Sequence, residues 1–583
     1  MSIPDATPEK SSNSRNDDNA SEEAPAGQAM TEEKEATLTG GSDAYTAEKK
    51  DARFWLIILT LGITSILVAV DGTIIQTTLP TITDTLGGGT DFIWVSGVFF
   101  LAITALQPLY GQLANIFGRR NLLCATVGLF TLGSGICGGA SSMNMLIGGR
   151  LVQGIGSAGI NLLLELIICD LVPLRERGQY TSIIYSAALV GSTLGPWIGG
   201  EVIAKSSWRW VFYLNLPIGG TSMVLVIFLL NMNTRSGNPM AAQRRIDVVG
   251  NVLFIASTIA FLFGLIYGGV KYPWDSWHVL VPLILGIAGI IAFCAWEASP
   301  WCVEPALPKQ LVGNRTSVAA LVIAFLHMSV LQWVTYFVSV YFQVALHASP
   351  ARAGVDLFPN MFGFLVSSVL AGVMVTKTGR YRPMQFLGWA IMSVLLGTYS
   401  LLKRGTPTAG WVLQVFFNAF GCGFVMPCLL PALQAELTDD DSAAAMAALT
   451  IARSFGSVVG TVVPSVIFNN EFDKRAHAIQ DRSTRDQLTG GEAYSHATKD
   501  YINGLHGATK DQVISVYLQA LKLVWYIGLM ICLIGFLVVF VEKEVVLRTS
   551  LDTEFGVKGK KKKADDAAES GEKGSEQGLS AQS

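Results

Sequence analysis

Charge is scarce in this chain. Only 15% of its 583 residues are Asp, Glu, Lys or Arg, 51% are hydrophobic, and mean hydropathy is +0.44. A soluble chain carries about a quarter charged residues, so a fully water-exposed fold is excluded. Neither sign dominates: the net charge is −3, which gives no basic field for nucleic acid. The eight cysteines (Cys124, Cys137, Cys169, Cys294, Cys302, Cys422, Cys428 and Cys532) show no metal-ligand spacing and no disulfide framework. No stretch fits Gly-x4-Gly-Lys-Ser/Thr, so neither an ATP motor nor a resident cofactor is expected. No nucleophile–base arrangement stands out, so an enzyme is not expected. The acidic N-terminus does not resemble a cleavable signal, so the first apolar segment is expected to persist as a helix.

What is present is a series of long apolar runs. About 20 apolar residues cross the hydrocarbon core as a helix, and backbone groups in lipid must be satisfied internally. Runs such as 54–70, 122–137 and 524–541 lack the alternation of a transmembrane barrel. The expected fold is therefore all-α and polytopic, with fourteen spans near 54–79, 92–114, 121–141, 144–169, 180–203, 209–231, 247–270, 278–298, 317–343, 354–376, 384–402, 411–435, 445–469 and 520–541. The tails over 1–52 and 546–583 read as disordered by composition. The polar stretch 470–519 reads as a solvated outer excursion, with a small folded cap as the alternative.

Lysine and arginine in short loops set the orientation. With both termini in the cytoplasm, the inner loops hold Arg119, Arg120, Arg175, Arg177, Arg244, Arg245, Lys377, Arg380 and Arg382. The sequons at Asn19 and Asn314 then fall inside and are expected to stay unmodified, and Lys560–Lys563 reads as a solvated run.

A charge within a span costs about 2.5–3.5 kcal/mol on insertion scales. Asp71, Arg150, Glu165 and Arg453 therefore need an explanation. Arg150, Gly154, Ser157, Asn161 and Glu165 recur at steps of 4, 3, 4 and 4, so they share one helix face. Such a stripe is expected to face a water-filled interior; the alternative is that Arg150 and Glu165 only pair with neighbouring helices. Asp71 reads as a lone carboxylate able to load and release a proton. Arg453, Ser457, Gly460 and Pro464 form a weaker stripe. Gly191, Gly195 and Gly199 recur every four residues around Pro196, a spacing that admits close backbone approach and a bend. His327 reads as a hydrogen-bonded helix residue.

The segments also carry a resemblance. Residues 111–120, GQLANIFGRR, resemble the loop motif between helices 2 and 3 of the major facilitator superfamily. Residues 150–156, RLVQGIG, resemble its helix-4 motif, and 191–200, GSTLGPWIGG, are similar to its helix-5 antiporter signature. Residues 71–80, DGTIIQTTLP, resemble the helix-1 motif of fourteen-helix drug:proton antiporters, as do 208–219, WRWVFYLNLPIG, 341–343 and 274–277 for that branch. The look is of fungal toxin or multidrug efflux pumps.

The resemblance implies two six-helix bundles, over 53–232 and 311–545, with a linker and inserted helix pair over 233–310, between cytoplasmic tails. A worn copy of the loop motif at 377–382 supports internal repetition, since Gly118 to Gln153 and Gly379 to Gln414 are both 35 positions. It further implies an inner latch of Gly111, Asn115, Gly118, Arg119 and Arg120 with Asp170 as acidic partner. Proton coupling falls to Asp71, Arg150 and Glu165, and a hinge to Gly191, Gly195, Pro196, Gly199 and Gly200. Gln153, Ser157, Asn161, Gln343 and Arg453 are the candidates for lining a substrate cavity. Asn115 replaces the usual Asp, so the latch is expected to lean on Asp170; Gln76 replaces the usual Asn; Glu165 lies outside the family pattern.

The expected function is proton-driven efflux of a hydrophobic small molecule by alternating access. The expected location is the plasma membrane, with the vacuolar membrane second. The expected partners are substrate, protons and the lipid bilayer, for a monomer that binds no nucleic acid. The alternatives are a carrier taking up a basic amino acid or ferric siderophore, and a membrane sensor that does not transport.

Overall fold

The computed structural model describes residues 50–86, 93–232, 246–268, 272–302, 309–438, 441–494 and 496–549. The linker 233–245, most of both tails, Lys560–Lys563, Asn19 and the side chain of Gln76 lie outside the described residues. Among the described residues the chain is helical, with no strand beyond one isolated bridge, Gly268 with Tyr272.

The N-terminal helices are α1 (Ala52–Leu86), α2 (Ile93–Ala105), α3 (Gln107–Phe117), α4 (Arg119–Gly138), α5 (Met143–Leu171), α6 (Leu174–Lys205), the short α7 (Trp210–Tyr213) and α8 (Asn215–Leu229). The pair α9 (Val248–Tyr267) and α10 (Trp277–Ala298) follows. The C-terminal helices are α11 (Lys309–Gly313), α12 (Arg315–Ala345), α13 (Pro350–Asp356), α14 (Phe358–Thr378), α15 (Arg382–Tyr399), α16 (Thr408–Gln434), α17 (Ser442–Arg475), α18 (Arg482–Leu488), α19 (Lys499–Gly504) and α20 (Gly507–Val538). Their starts follow from ordinary caps: Ser142, Asp247, Ser276 and Asn314 each accept a backbone N–H of the first turn.

Helix occupies each of the fourteen expected segments. Eleven of these helices are long and apolar enough to cross a membrane, or twelve if α2 and α3 count as one span. Helices α6 and α15 are not among them, because Ser, Thr, Gly and Tyr interrupt the apolar run of α6 and α15 opens on Arg382, Pro383 and Gln385. The α2–α3 span is bent by 52°. Pro108 lies in the first turn of α3, where the missing N–H and the ring interrupt a continuous helix.

The loop 470–519 is not a solvated excursion. Helix α17 runs on to Arg475, and Ile479, Leu488, Ala493 and Ile502 are buried beneath α18 and α19. Tyr494 packs against Phe337, and the Tyr517 hydroxyl donates to Ala493 O at 2.6 Å. Apolar residues scattered at irregular spacing built this cap, which is why neither helical nor strand periodicity revealed it.

The repeat suggested by the two loop motifs has a backbone counterpart. Gly118 ends α3 with φ 77°, and Gly379 ends α14 with φ 68°, a region that favours glycine.

Residues 543–549, the last of them assigned from composition to a disordered tail, run back across the face that carries the arginine-rich loops. Lys543 pairs with Glu436 at 3.3 Å, Leu547 N donates to Gly379 O, and Arg175 N donates to Arg548 O. At the root of this strap Glu542 is buried near Arg382 and Gln385, and desolvation pushes its carboxyl up to about 8. An unfolded Glu titrates near about 4.3. Between these values the folded protein holds a proton that the unfolded chain has released, so this group lowers stability as pH rises. Glu542→Gln is expected to melt like the wild type at pH 5 and several degrees higher at pH 8. Equal melting temperatures at both pH values would refute the assignment.

Candidate functional site

Two ionic clusters and one cavity account for the charges at membrane depth. The first cluster lies within the N-terminal half. Asp71 on α1 is not a lone carboxylate: Arg150 Nη1 on α5 donates to its Oδ2 at 2.5 Å. Its Oδ1 accepts from Gln153 Nε2 at 3.0 Å and Asn215 Nδ2 at 2.7 Å. Arg150 also donates to Val95 O and to Gln153 Oε1 and stands over the Phe99 ring at 4.1 Å. Ser134 accepts from Gln153 at 2.7 Å. All the polar members are buried, so the network is closed on itself and does not line the cavity.

The second cluster joins the two halves. Glu165 on α5 accepts from Arg453 Nη1 on α17 at 2.7 Å. Tyr185 of α6 lies against this pair, with the guanidinium 5.0 Å from its ring centroid. Both charges are buried, yet both belong to the wall of a cavity of about 480 Å³ lined from both halves. The rest of the wall is chiefly apolar, with Phe100, Leu101, Met328, Tyr336 and Met426, relieved by Asn161, Gln332 and Thr461.

Of the cavity candidates, Asn161 and Arg453 line it. Gln153 is spent on Asp71, Ser157 accepts from Asn161 at 3.5 Å, and Gln343 lies near the end of α12 away from the wall. The polar stripe of α5 therefore does not face water along its length. A Cβ at Gly154 would lie 2.8 Å from Phe99 O, so α2 covers that stretch and only the Asn161–Glu165 end opens to the cavity. His327 is hydrogen-bonded to Cys422 O at 3.0 Å, as a helix residue.

The expected latch residues also come together. Arg119 Nε donates to Asp170 Oδ2 at 2.8 Å, and its Nη1 donates to Ala114 O and to the neutral Asn115 Oδ1. Arg120 caps Ile227 O at 2.6 Å. Gly111 is where α3 meets the other half: a Cβ there would lie 3.1 Å from Ala447 Cβ of α17. Of the hinge residues, Gly191 and Gly195 face α1, where a Cβ at Gly195 would lie 2.2 Å from Thr73 Oγ1. Pro196 lies inside α6, Gly199 is buried, and Gly200 faces open space.

Other residues of the arginine-rich face escaped sequence reasoning. Arg175 donates to Thr376 O at 2.7 Å and Lys377 O at 2.6 Å, the unsatisfied carbonyls at the end of α14 in the opposite half. Arg177 donates to Gln434 Oε1 at 2.7 Å and to Cys169 O at 3.0 Å. In the sequence these arginines read only as inner-loop charge, since their acceptors in the far half lie more than 200 residues away. Cys169 lies under this contact and is 1% exposed. The double variant Arg175→Ala/Arg177→Ala is expected to raise its labelling by a water-soluble maleimide at least tenfold, read by peptide mass spectrometry. Unchanged labelling would place the closure elsewhere.

Comparison with known proteins gives concordant results. A family model described as Major Facilitator Superfamily matches residues 61–461. The MFS-type transporter gkaD of Penicillium citrinum is 44% identical over 527 residues, covering 90% of each chain. The MFS efflux transporter aclA of Aspergillus oryzae is 43% identical over 527 residues, covering 90% of this chain and 95% of the relative. The crystal structure of the human organic anion transporter MFSD10 (TETRAN) shares the fold, with a TM-score of 0.53 at 12% identity over 83% of this chain and all of that one.

Proposed function

Because the chain belongs to the major facilitator superfamily and is a multi-pass membrane transporter, we propose that it exports an apolar or amphipathic small molecule from the cytosol by proton-coupled alternating access. The plasma membrane is the proposed site, with the arginine-rich face in the cytoplasm. The relatives named as efflux transporters and pumps support the direction. The chiefly apolar cavity wall supports the substrate class.

The observation that carries the reading is the Glu165–Arg453 pair. It is a buried charge pair, it bridges the two halves, and it stands at the cavity. Breaking a buried pair by removing one charge costs about 3–5 kcal/mol. A proton taken up by Glu165 removes one charge in just that sense. The halves then lose an electrostatic tie, and the latch at the arginine-rich face is free to open. Loss of the proton restores the pair and the closed arrangement. Asp71 and Arg150, enclosed in their own network, would hold the shape of the half against which this motion works.

The test is flux in proteoliposomes. Export of rhodamine 6G is expected to follow an imposed pH gradient and to stop when a protonophore collapses it. Transport that persists after collapse would contradict proton coupling. Absence of any flux would contradict export.

A further inference from the structure

The bent α2–α3 span leaves a gap in the wall of the cavity, and the inserted helix pair fills it. Below the bend α3 is tight against α17: Gln107 Nε2 donates to Ser454 Oγ at 3.2 Å, and Gly111 meets Ala447. Above the 52° bend α2 turns away. Gly97, Leu101 and Thr104 then line one side of the cavity, and Val458 and Thr461 of α17 line another. Between them stand Leu262 and Ile266 of α9. A Cβ at Gly97 would lie 3.2 Å from Ile266 Cδ1, and Phe261 rests on Phe455 with ring centroids 5.7 Å apart. Behind α9 comes α10, whose Ile284, Leu285 and Ile291 are each more than 60% exposed on an apolar helix, the signature of a lipid-facing surface.

We infer that α9 is a side gate: Leu262 and Ile266 close a lateral window through which an apolar molecule passes between the cavity and the bilayer. The inference rests on the export reading for its direction. The window lies toward the end of α9 remote from the arginine-rich face, so the exported molecule is released into the outer leaflet. Two physical points favour a gate over a fixed wall. Lipid tails are as apolar as Leu, so no hydrophobic force holds a helix against its neighbours in a membrane. The contacts of α9 along the window are apolar, from Leu262, Ile266 and the Phe261–Phe455 pair, while its polar anchors are Asn251 to Gln112 near one end and Tyr267 to Trp94 at the outer edge of the window. Helix α9 is thus tied at both ends, with the apolar stretch around Leu262 between the ties.

The test uses the full-length protein in liposomes containing a phosphatidylcholine with a diazirine on its acyl chain. After photolysis, label is mapped by mass spectrometry on Thr461 and Thr104. The wild type is expected to carry label there, Leu262→Ala/Ile266→Ala at least fivefold more, and Ile266→Trp almost none. Label confined to the outer surface of α10 in all three, or cavity label that ignores these substitutions, would overturn the gate. Flux of Nile red, measured in parallel under a pH gradient, addresses the export reading on its own. Wild type that fails to move the dye would defeat export, while the labelling pattern would still decide for or against the gate.

Discussion

Glu165→Gln is expected to abolish uphill export, lowering gradient-driven accumulation of rhodamine 6G at least 100-fold while leaving counterflow exchange of the dye across the membrane. The amide keeps the size of the side chain and removes its charge, so it imitates the protonated state permanently. Arg453 then loses its only charged partner among the described residues. A cost of about 3–5 kcal/mol for an uncompensated buried charge corresponds to a shift of more than 100-fold between arrangements, at about 1.4 kcal/mol per factor of ten. Exchange survives because it needs only the cavity and the rocking of the halves. Loss of exchange together with accumulation would mark Glu165 as a packing residue or a direct substrate ligand. Glu165→Gln should be the more damaging single change to stability, because it strands a guanidinium that keeps its charge, whereas the carboxyl left by Arg453→Gln can take up a proton. The pair of substitutions together should recover stability and still lack coupling.

The second large effect is expected at the enclosed network, and it is one of folding. Asp71→Asn leaves Arg150 unpaired and deprives Gln153 and Asn215 of a charged acceptor. At about 3–5 kcal/mol for a broken buried pair, and about 2–4 °C per kcal/mol for a unit of 150–250 residues, the melting temperature should fall on the order of 10 °C. What survives in the membrane should still respond to a pH gradient. A folded, stable Asp71→Asn that cannot couple to protons would move the coupling site to Asp71 and refute the division of labour between the two clusters.

These two clusters also show what the sequence could and could not convey. Charges at membrane depth singled out Asp71, Arg150, Glu165 and Arg453, because lipid makes each of them expensive, and the structure joins them in two pairs. Their partners were another matter. Asp71 and Arg150 are 79 residues apart, and Glu165 and Arg453 are 288 apart, so nothing local links them. The stripe on α5 shows the same limit. Its period was legible, but whether a face meets water or another helix depends on α2, whose bend at Leu106 and Pro108 moves it over Gly154. The helices themselves were legible because a bilayer imposes length and hydropathy on each segment separately. The cap over 476–504 obeys no such constraint, and its buried residues carry no period. The loop motif was legible, yet Arg175 donates to backbone carbonyls, which every helix end possesses, and Arg177 to the Gln434 side-chain amide of the far half.

The central claim is that protonation of Glu165 releases one half from the other. Its most direct test is the distance between spin labels at Asn121 and Lys377, exposed positions on the arginine-rich face in opposite halves, compared between the wild type and Glu165→Gln. The variant, which imitates the protonated carboxyl, should show a longer distance than the wild type. A distance that the substitution leaves unchanged would contradict the claim.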